Sequence, residues 1–150
     1  MTDLPMTPRH ALPLLAVAQA QKEMTHNEAL VLIDALLHAA VEGGPANDPP
    51  AEPAPGQCWL VGAAPTGDWT GQAQAIAVRT AGGWRFAAPR PGTGVWHIGD
   101  GTWLRFDGAE WIAPAILAPA AGGAIVDAEA RAVLASLILL LEAQGLLKSG

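Results

Sequence analysis

The residues able to do chemistry fall in a few places. Lys22, Glu23, His26 and Glu28 crowd one polar stretch, Gln19 to Leu30, and Asp34, His38 and Glu42 follow at i, i+4, i+8. The first group lacks a strong pair of ligands at i, i+4 on one helix face, which a helical metal site requires. The second reads as a solvated stripe with an Asp34–His38 contact, in preference to a ligand set or proton shuttle. Cys58 is the sole cysteine, so it forms no internal disulfide, and beside Trp59 in an apolar run it reads as a buried thiol. His10, His26, His38 and His97 are scattered. No Gly-x-Ser-x-Gly, His-Glu-x-x-His or phosphate loop is present. The expectation is a protein that is not an enzyme and needs no cofactor or metal.

A different chemistry is available to tryptophan. All six Trp lie between positions 59 and 111, with two Phe and no Tyr in the chain. Exposed indole faces stack on sugar rings, and charged neighbours hydrogen-bond the hydroxyls. Trp69, Trp103 and Trp111, with Asp68, Arg105 and Asp107, are the candidate contacts to a glycan or cell surface. Trp in a small β domain is more often core, so this reading stands as an alternative.

Composition narrows the classes. Of 150 residues 51% are hydrophobic and only 15% charged, so some apolar surface is expected to be covered by partners. The net charge of -6 argues against nucleic acid as partner. No run reaches the ~18–20 apolar residues of a membrane span. Arg9, Ala11 to Val17 and Ala18-Gln-Ala20 mimic a secretory signal, but Pro13 breaks the short apolar run, Asp3 precedes it, and the polar block after it looks structural.

The elements that position these residues read as α+β: an N-terminal helix, a small antiparallel β meander or barrel, and a C-terminal helix. Residues 1–24 read as an extended arm and an apolar strap containing Leu12, Leu14, Leu15 and Val17. Thr25 and Glu28 have capping-box spacing, with Met24 and Ala29 as a staple, which predicts a helix over 25–42. That helix is apolar nearly all round. Leu30, Ile33, Leu37 and Val41 are expected to face the β domain, leaving Val31, Leu32 and Leu36 for another subunit. Gly43 and Gly44 stop it, and the proline-rich 43–56 reads as a linker. From Gln57 the period becomes two. Strands are expected at Gln57–Val61, Ala75–Thr80, Trp84–Ala87, Val95–Gly99, Thr102–Phe106 and Glu110–Ala113, within a β domain over 57–115, turning at Ala81-Gly-Gly83, Asp100-Gly101 and Asp107-Gly108. After a second linker, 116–126, Asp127 caps a helix to about Gln144 within 127–150, with Gly145 at the left-handed position beyond its end. Leu134, Leu137, Ile138 and Leu141 are its candidate oligomer contacts; Val133, Leu140 and Leu147 form a second seam. The alternative is that the two helices pair within one chain.

Two motifs carry a resemblance. Ala18-Gln-Ala-Gln-Lys-Glu-Met-Thr-His-Asn-Glu-Ala-Leu30, preceded by its Pro-containing apolar run, and Phe106-Asp-Gly-Ala-Glu-Trp111 resemble an uncharacterised domain family of phage origin. Its members occur in prophage structural genes and gene transfer agent clusters, often near tail-fibre or head-spike genes. The resemblance runs from roughly Arg9 to Ala115 and carries over no catalytic residue. It implies a virion structural role at a spike or fibre. The chain would then fold in the bacterial cytoplasm and leave in a released phage-like particle. The partners the resemblance implies are other virion or capsid proteins; the apolar helices add further copies of the chain, a trimer or pentamer of the kind such a particle suits, and the tryptophans add a surface polysaccharide.

Overall fold

The computed structural model describes residues 5–15, 22–123 and 127–148, with the side chains of 22–24 left aside. The Gln19–Gln21 part of the polar stretch, the signal-like Ala18-Gln-Ala20, Val17 of the strap and the Met24 staple lie outside that description. The elements are α1 (Lys22–Leu36), β1 (Ala40–Val41), β2 (Gly43–Ala46), β3 (Cys58–Val61), β4 (Ile76–Thr80), β5 (Gly83–Ala87), β6 (Gly94–His97), β7 (Thr102–Phe106), β8 (Trp111–Ile112) and α2 (Ala128–Ala143). The class is α+β, with two helices and two mixed sheets of four strands, ordered β1-β6-β7-β8 and β2-β3-β4-β5.

The alternation and the glycine turns form the expected hairpins. β3-β4-β5 and β6-β7-β8 are two antiparallel meanders. They do not close into one meander or barrel, because each gains a parallel strand from residues read as helix end and linker. Ala40 and Val41 pair with Trp96 and His97; Gly43 and Ala46 pair with Trp59 and Val61. The step between sheets is a single residue. Ala39 and Val41 accept hydrogen bonds from the N–H groups of Trp96 and Ile98, while Glu42 N–H donates to Cys58 O at 2.8 Å. Gly44, at φ +105°, lies where a side chain would collide with the Leu60 backbone. The two sheets repeat one plan: Trp59 and Trp96 hold matching places, and each first strand has its parallel partner on one side and its hairpin partner on the other.

One core lies between the sheets. Cys58, Leu60, Ile76 and Val78 meet Val95, Leu104, Phe106 and Trp111, and Ala35 of α1 closes one end with Val31 and Leu32 beside it. Val61, Trp69, Ala75 and Ala77 form a second cluster on the outer face of the β2-β3-β4-β5 sheet, against Trp59, Trp84 and Phe86.

Helix α1 departs from expectation at both ends. It begins by Lys22, so Thr25 sits inside it and caps nothing; Glu28 pairs with Arg85 of β5. It ends at Leu36, because the chain leaves as a strand to pair with β6. Asp34, read as solvated, is 1% exposed. Its carboxylate accepts the backbone N–H groups of Arg9 at 2.9 Å and His10 at 2.7 Å, and the hydroxyl of Thr7. Arg9 in turn donates to the carbonyls of Ala35 at 2.8 Å and His38 at 3.2 Å, a cation where the helix dipole favours one. The arm itself is a tight turn, with Thr7 N–H donating to Leu12 O and Leu14 N–H to Pro5 O. Asn27 holds Leu15 by both its N–H and its carbonyl. This tie sets the rotation of α1. Val31, Leu32 and Ala35 face inward, and Ile33, Leu36 and Leu37 are 49%, 41% and 53% exposed.

Burial alone would raise the pKa of Asp34. The hydrogen bonds from Thr7, Arg9 and His10, helped by the charge of His10, outweigh it and hold the carboxyl below its ordinary value. A depressed folded pKa contributes stability that is fully present above the unfolded value of about 3.9 and is lost as pH falls through the folded one. Asp34→Asn is therefore expected to cost about 1–3 kcal/mol near neutrality in denaturant unfolding. The gap between the two proteins should shrink only below about pH 4; a gap that persists undiminished into acid contradicts this account.

Candidate interaction surfaces

The proposed contact residues separate by burial. Trp69 is 0% exposed: the 3-10 turn Gly67–Trp69 drives it under its loop against Trp84, with ring centroids 5.3 Å apart. Trp111 is 7% exposed, packs on Phe106 and donates its indole N–H to Gln74 O at 3.0 Å. Both are core, so neither meets a ligand at the surface. Asp107 is exposed, but its Oδ1 accepts the N–H groups of Ala109 and Glu110 at 2.8 and 2.9 Å. Those bonds, from Glu110 first, hold its pKa below the usual carboxylate value and make it the pin of the β7–β8 turn. Asp68 is exposed on the 3-10 turn beside the buried Trp69.

Trp103 and Arg105 remain outside. Pairing sets them in register on the outer face of the β1-β6-β7-β8 sheet, Trp103 opposite Trp96 and Arg105 opposite Ile112. Trp103 is 46% exposed and meets Trp96 edge to face at 5.5 Å. Ile98 and Ile112 add exposed apolar area. The equivalent face of the other sheet is covered by the loop that carries Trp69. Here the only cover described is the end of α2. Trp103 N–H donates to Gly145 O at 3.0 Å, Lys148 Nζ lies 3.6 Å from Asp100, and Lys148 N–H donates to Ala115 O. Gly145 rests on the Trp96 ring: a Cβ there would fall 2.5 Å from Cζ3 and 2.8 Å from Gly101 O.

Helix α2 forms as its ends specify. Asp127 accepts Ala130 N–H at 2.9 Å. At the other end Gly145 has φ +68°, Gly145 N–H donates to Glu142 O and Leu146 N–H to Leu141 O, the paired bonds of a Schellman stop. Yet no residue of α2 is buried. Val133, Leu139 and Leu140 are 68%, 65% and 64% exposed, and Leu134 and Leu137 about half. The segment read as a second linker runs beside the helix as a strap. Leu117 and Ala118 line one groove with Leu134, Leu137, Ile138 and Leu141, and another with Ala135, Ile138, Leu139 and Glu142. Ile116 and Leu117 themselves are 58% and 53% exposed. Of the proposed oligomer contacts, Leu134, Leu137, Ile138 and Leu141 thus lie together along the groove beside the strap, the first two about half exposed and the last two part-buried, and Leu36 faces outward. Val31 and Leu32 turn to their own core.

Some of the groups able to do chemistry come together: His10 meets His38 edge to face with ring centroids 5.7 Å apart, and Asp34 accepts the backbone N–H of His10. Cys58 is 2% exposed, and burial pushes its thiol up to about 11 although Arg9 stands 3.8 Å from Sγ. His97 accepts Asp100 N–H at Nδ1 and serves the β6–β7 turn. Among the described residues no group of three or more His, Cys, Asp or Glu is placed to hold a metal ion, and no helix is long and apolar enough to cross a membrane.

A family model described as a protein of unknown function, DUF2793, matches residues 26–112. The chain belongs to the DUF2793 family. The matched span holds most of α1 and both sheets. The strap and α2 lie after it. No curated protein matches this DUF2793 chain.

Proposed function

We propose that the chain is a structural, oligomer-forming component of a phage-like particle, a spike or fibre base of a gene transfer agent or prophage, that contributes to cell-surface attachment. The observation that carries the oligomer is α2, a sixteen-residue apolar helix with no buried residue. Such a helix is marginal by itself in water and gains its stability from packing. Eight large apolar side chains on the strap, the helix and its end are about half exposed or more. Burying what remains exposed is worth roughly 1 kcal/mol for each. The total, about 8 kcal/mol, falls within the roughly 4–15 kcal/mol that association costs in lost freedom. The arrangement this reading takes is closed rotational symmetry, a trimer or a pentamer. The placement in a particle rests on the two resembling motifs, Ala18–Leu30 and Phe106–Trp111. Other virion or capsid proteins are the partners this reading requires.

The reading is tested by the mass of the full chain in solution. The expected result is a trimer or pentamer at micromolar concentration and a monomer for Leu137→Asp with its Trp fluorescence unchanged. A monomeric parent chain overturns it. Recovery of the protein in purified phage-like particles tests the second half, and its absence from them removes the particle role.

A second reading, glycan binding, is favoured by the open face around Trp103 and Arg105. It uses neither Trp69 nor Trp111. Binding to a surface polysaccharide is expected to fall about fivefold or more in Trp103→Ala, since stacking on an aromatic ring is worth about 1 kcal/mol or more. Binding that is equal in parent and variant contradicts it.

A further inference from the structure

We infer that His10 and His38 together form a binding site for one borderline divalent cation, Cu²⁺, Ni²⁺ or Zn²⁺, which on binding clamps the N-terminal turn to the exit of helix α1. The site stands apart from the assembly and glycan readings and uses none of their residues. His10 belongs to the N-terminal turn and His38 to the turn that follows α1, and both are exposed. Their rings meet edge to face with centroids 5.7 Å apart. The fold holds them there through their backbones. His10 N–H donates to Asp34 Oδ1 at 2.7 Å, and His38 O accepts from the Arg9 guanidinium at 3.2 Å. Among the described residues no hydrogen bond engages a ring nitrogen of either. Two imidazoles therefore sit side by side on pinned main chain, with their nitrogens open to water.

Imidazole is the commonest metal ligand, and separation decides whether two can share one ion. A zinc–nitrogen bond of about 2.0–2.1 Å puts the ion roughly 3.2 Å from the centroid of each ligand ring. Two rings at a tetrahedral angle on one ion then have centroids roughly 5.2 Å apart, and roughly 5.5 Å at a slightly wider angle. The observed 5.7 Å is a small ring movement away, and the χ2 torsion of histidine is broad. The donor set selects the ion. Two imidazole nitrogens with no open carboxylate suit Cu²⁺, Ni²⁺ and Zn²⁺, whereas Mg²⁺ and Ca²⁺ take oxygen ligands. Asp34 is buried and its oxygens already accept the backbone N–H groups of Arg9 and His10, so it is no ligand. Its carboxylate does feel a charge on the His10 ring, and so favours a cation placed there. The opposing charge, the Arg9 guanidinium, is bound to the carbonyls of Ala35 and His38. No third His, Cys, Asp or Glu among the described residues completes the set, so water fills the remaining coordination positions.

Thermal unfolding of the chelator-treated full chain, titrated with the chloride of each ion, tests this. An ion that binds the folded chain and not the unfolded one raises Tm as its concentration rises. Tm is expected to climb by several degrees in micromolar to millimolar Zn²⁺, at lower concentrations of Cu²⁺, and to stay flat in Mg²⁺. His10→Ala and His38→Ala are each expected to lose the rise. His26→Ala, which removes an exposed histidine from α1 itself, is expected to keep it. Electron paramagnetic resonance with one equivalent of Cu²⁺ reads the ligands directly, whatever a substitution does to stability. Two imidazole nitrogens are expected in the parent chain and in His26→Ala, and fewer in the other two variants. A parent Tm that no ion moves overturns the inference. So does an equal rise in Mg²⁺, a rise that survives His10→Ala, or a copper spectrum unchanged in His38→Ala.

Discussion

The fold depends on eight residues of backbone that belong to two sheets at once. Between Ala39 and Ala46 the chain pairs first with β6 and then with β3, and Glu42 is the step between them. Two three-stranded meanders have little cause to face each other by themselves, since each has edges to protect and a face to bury. The shared segment covers one edge of each and brings their inner faces together over Val41, which is fully buried. Helix α1 enters this segment directly, so its orientation matters. Asp34 fixes that orientation through the backbone of Arg9 and His10, and Arg9 reaches back to the carbonyls of Ala35, in the helix's last turn, and His38, just beyond it. The N-terminal turn, the helix and the sandwich are one connected unit of hydrogen bonds around one core.

The rest of the chain has a different physical character. Inside the sandwich, apolar side chains are covered and the tryptophans that face out of the β2-β3-β4-β5 sheet are packed under their own loop. The strap and α2 have sound local structure, capped at both ends, and little to bury it. On the reading proposed above, this apolar surface is where other copies meet the chain. The uncovered outer sheet face with Trp103 lies beside the anchored end of α2, so assembly and any surface contact would be mechanically linked through Gly145 and Trp96.

Local signals in the sequence were enough for the strands. Alternation and glycine-bearing turns are near-neighbour effects, and Gly83, Gly101 and Gly108 all take the positive φ their turns need. Asp127 and Gly145 marked α2 for the same reason. What was illegible is non-local. The pairing of β1 and β2 is short, parallel and spans a proline, so residues Gly43–Ala46 look like a linker until β3 is beside them. Asp34 looks solvated because its partners lie 24 and 25 residues earlier in the chain. That misreading rotated α1 and sent Val31 and Leu32 outward. Trp69, Trp103 and Trp111 have the same chemistry on paper; the 3-10 turn and the Gln74 carbonyl bury two of them. The excess of apolar helix surface was legible from composition, because no fold of so small a sheet hides it all.

Amide hydrogen exchange across Ala128–Ala143, followed as the protein is diluted, tests the central claim most directly. An exposed sixteen-residue helix opens readily, and one packed among copies of itself does not. The account predicts protection of α2 that falls with dilution while the amides of β3, β4, β6 and β7 stay protected throughout. Exchange in α2 that is independent of concentration would contradict it.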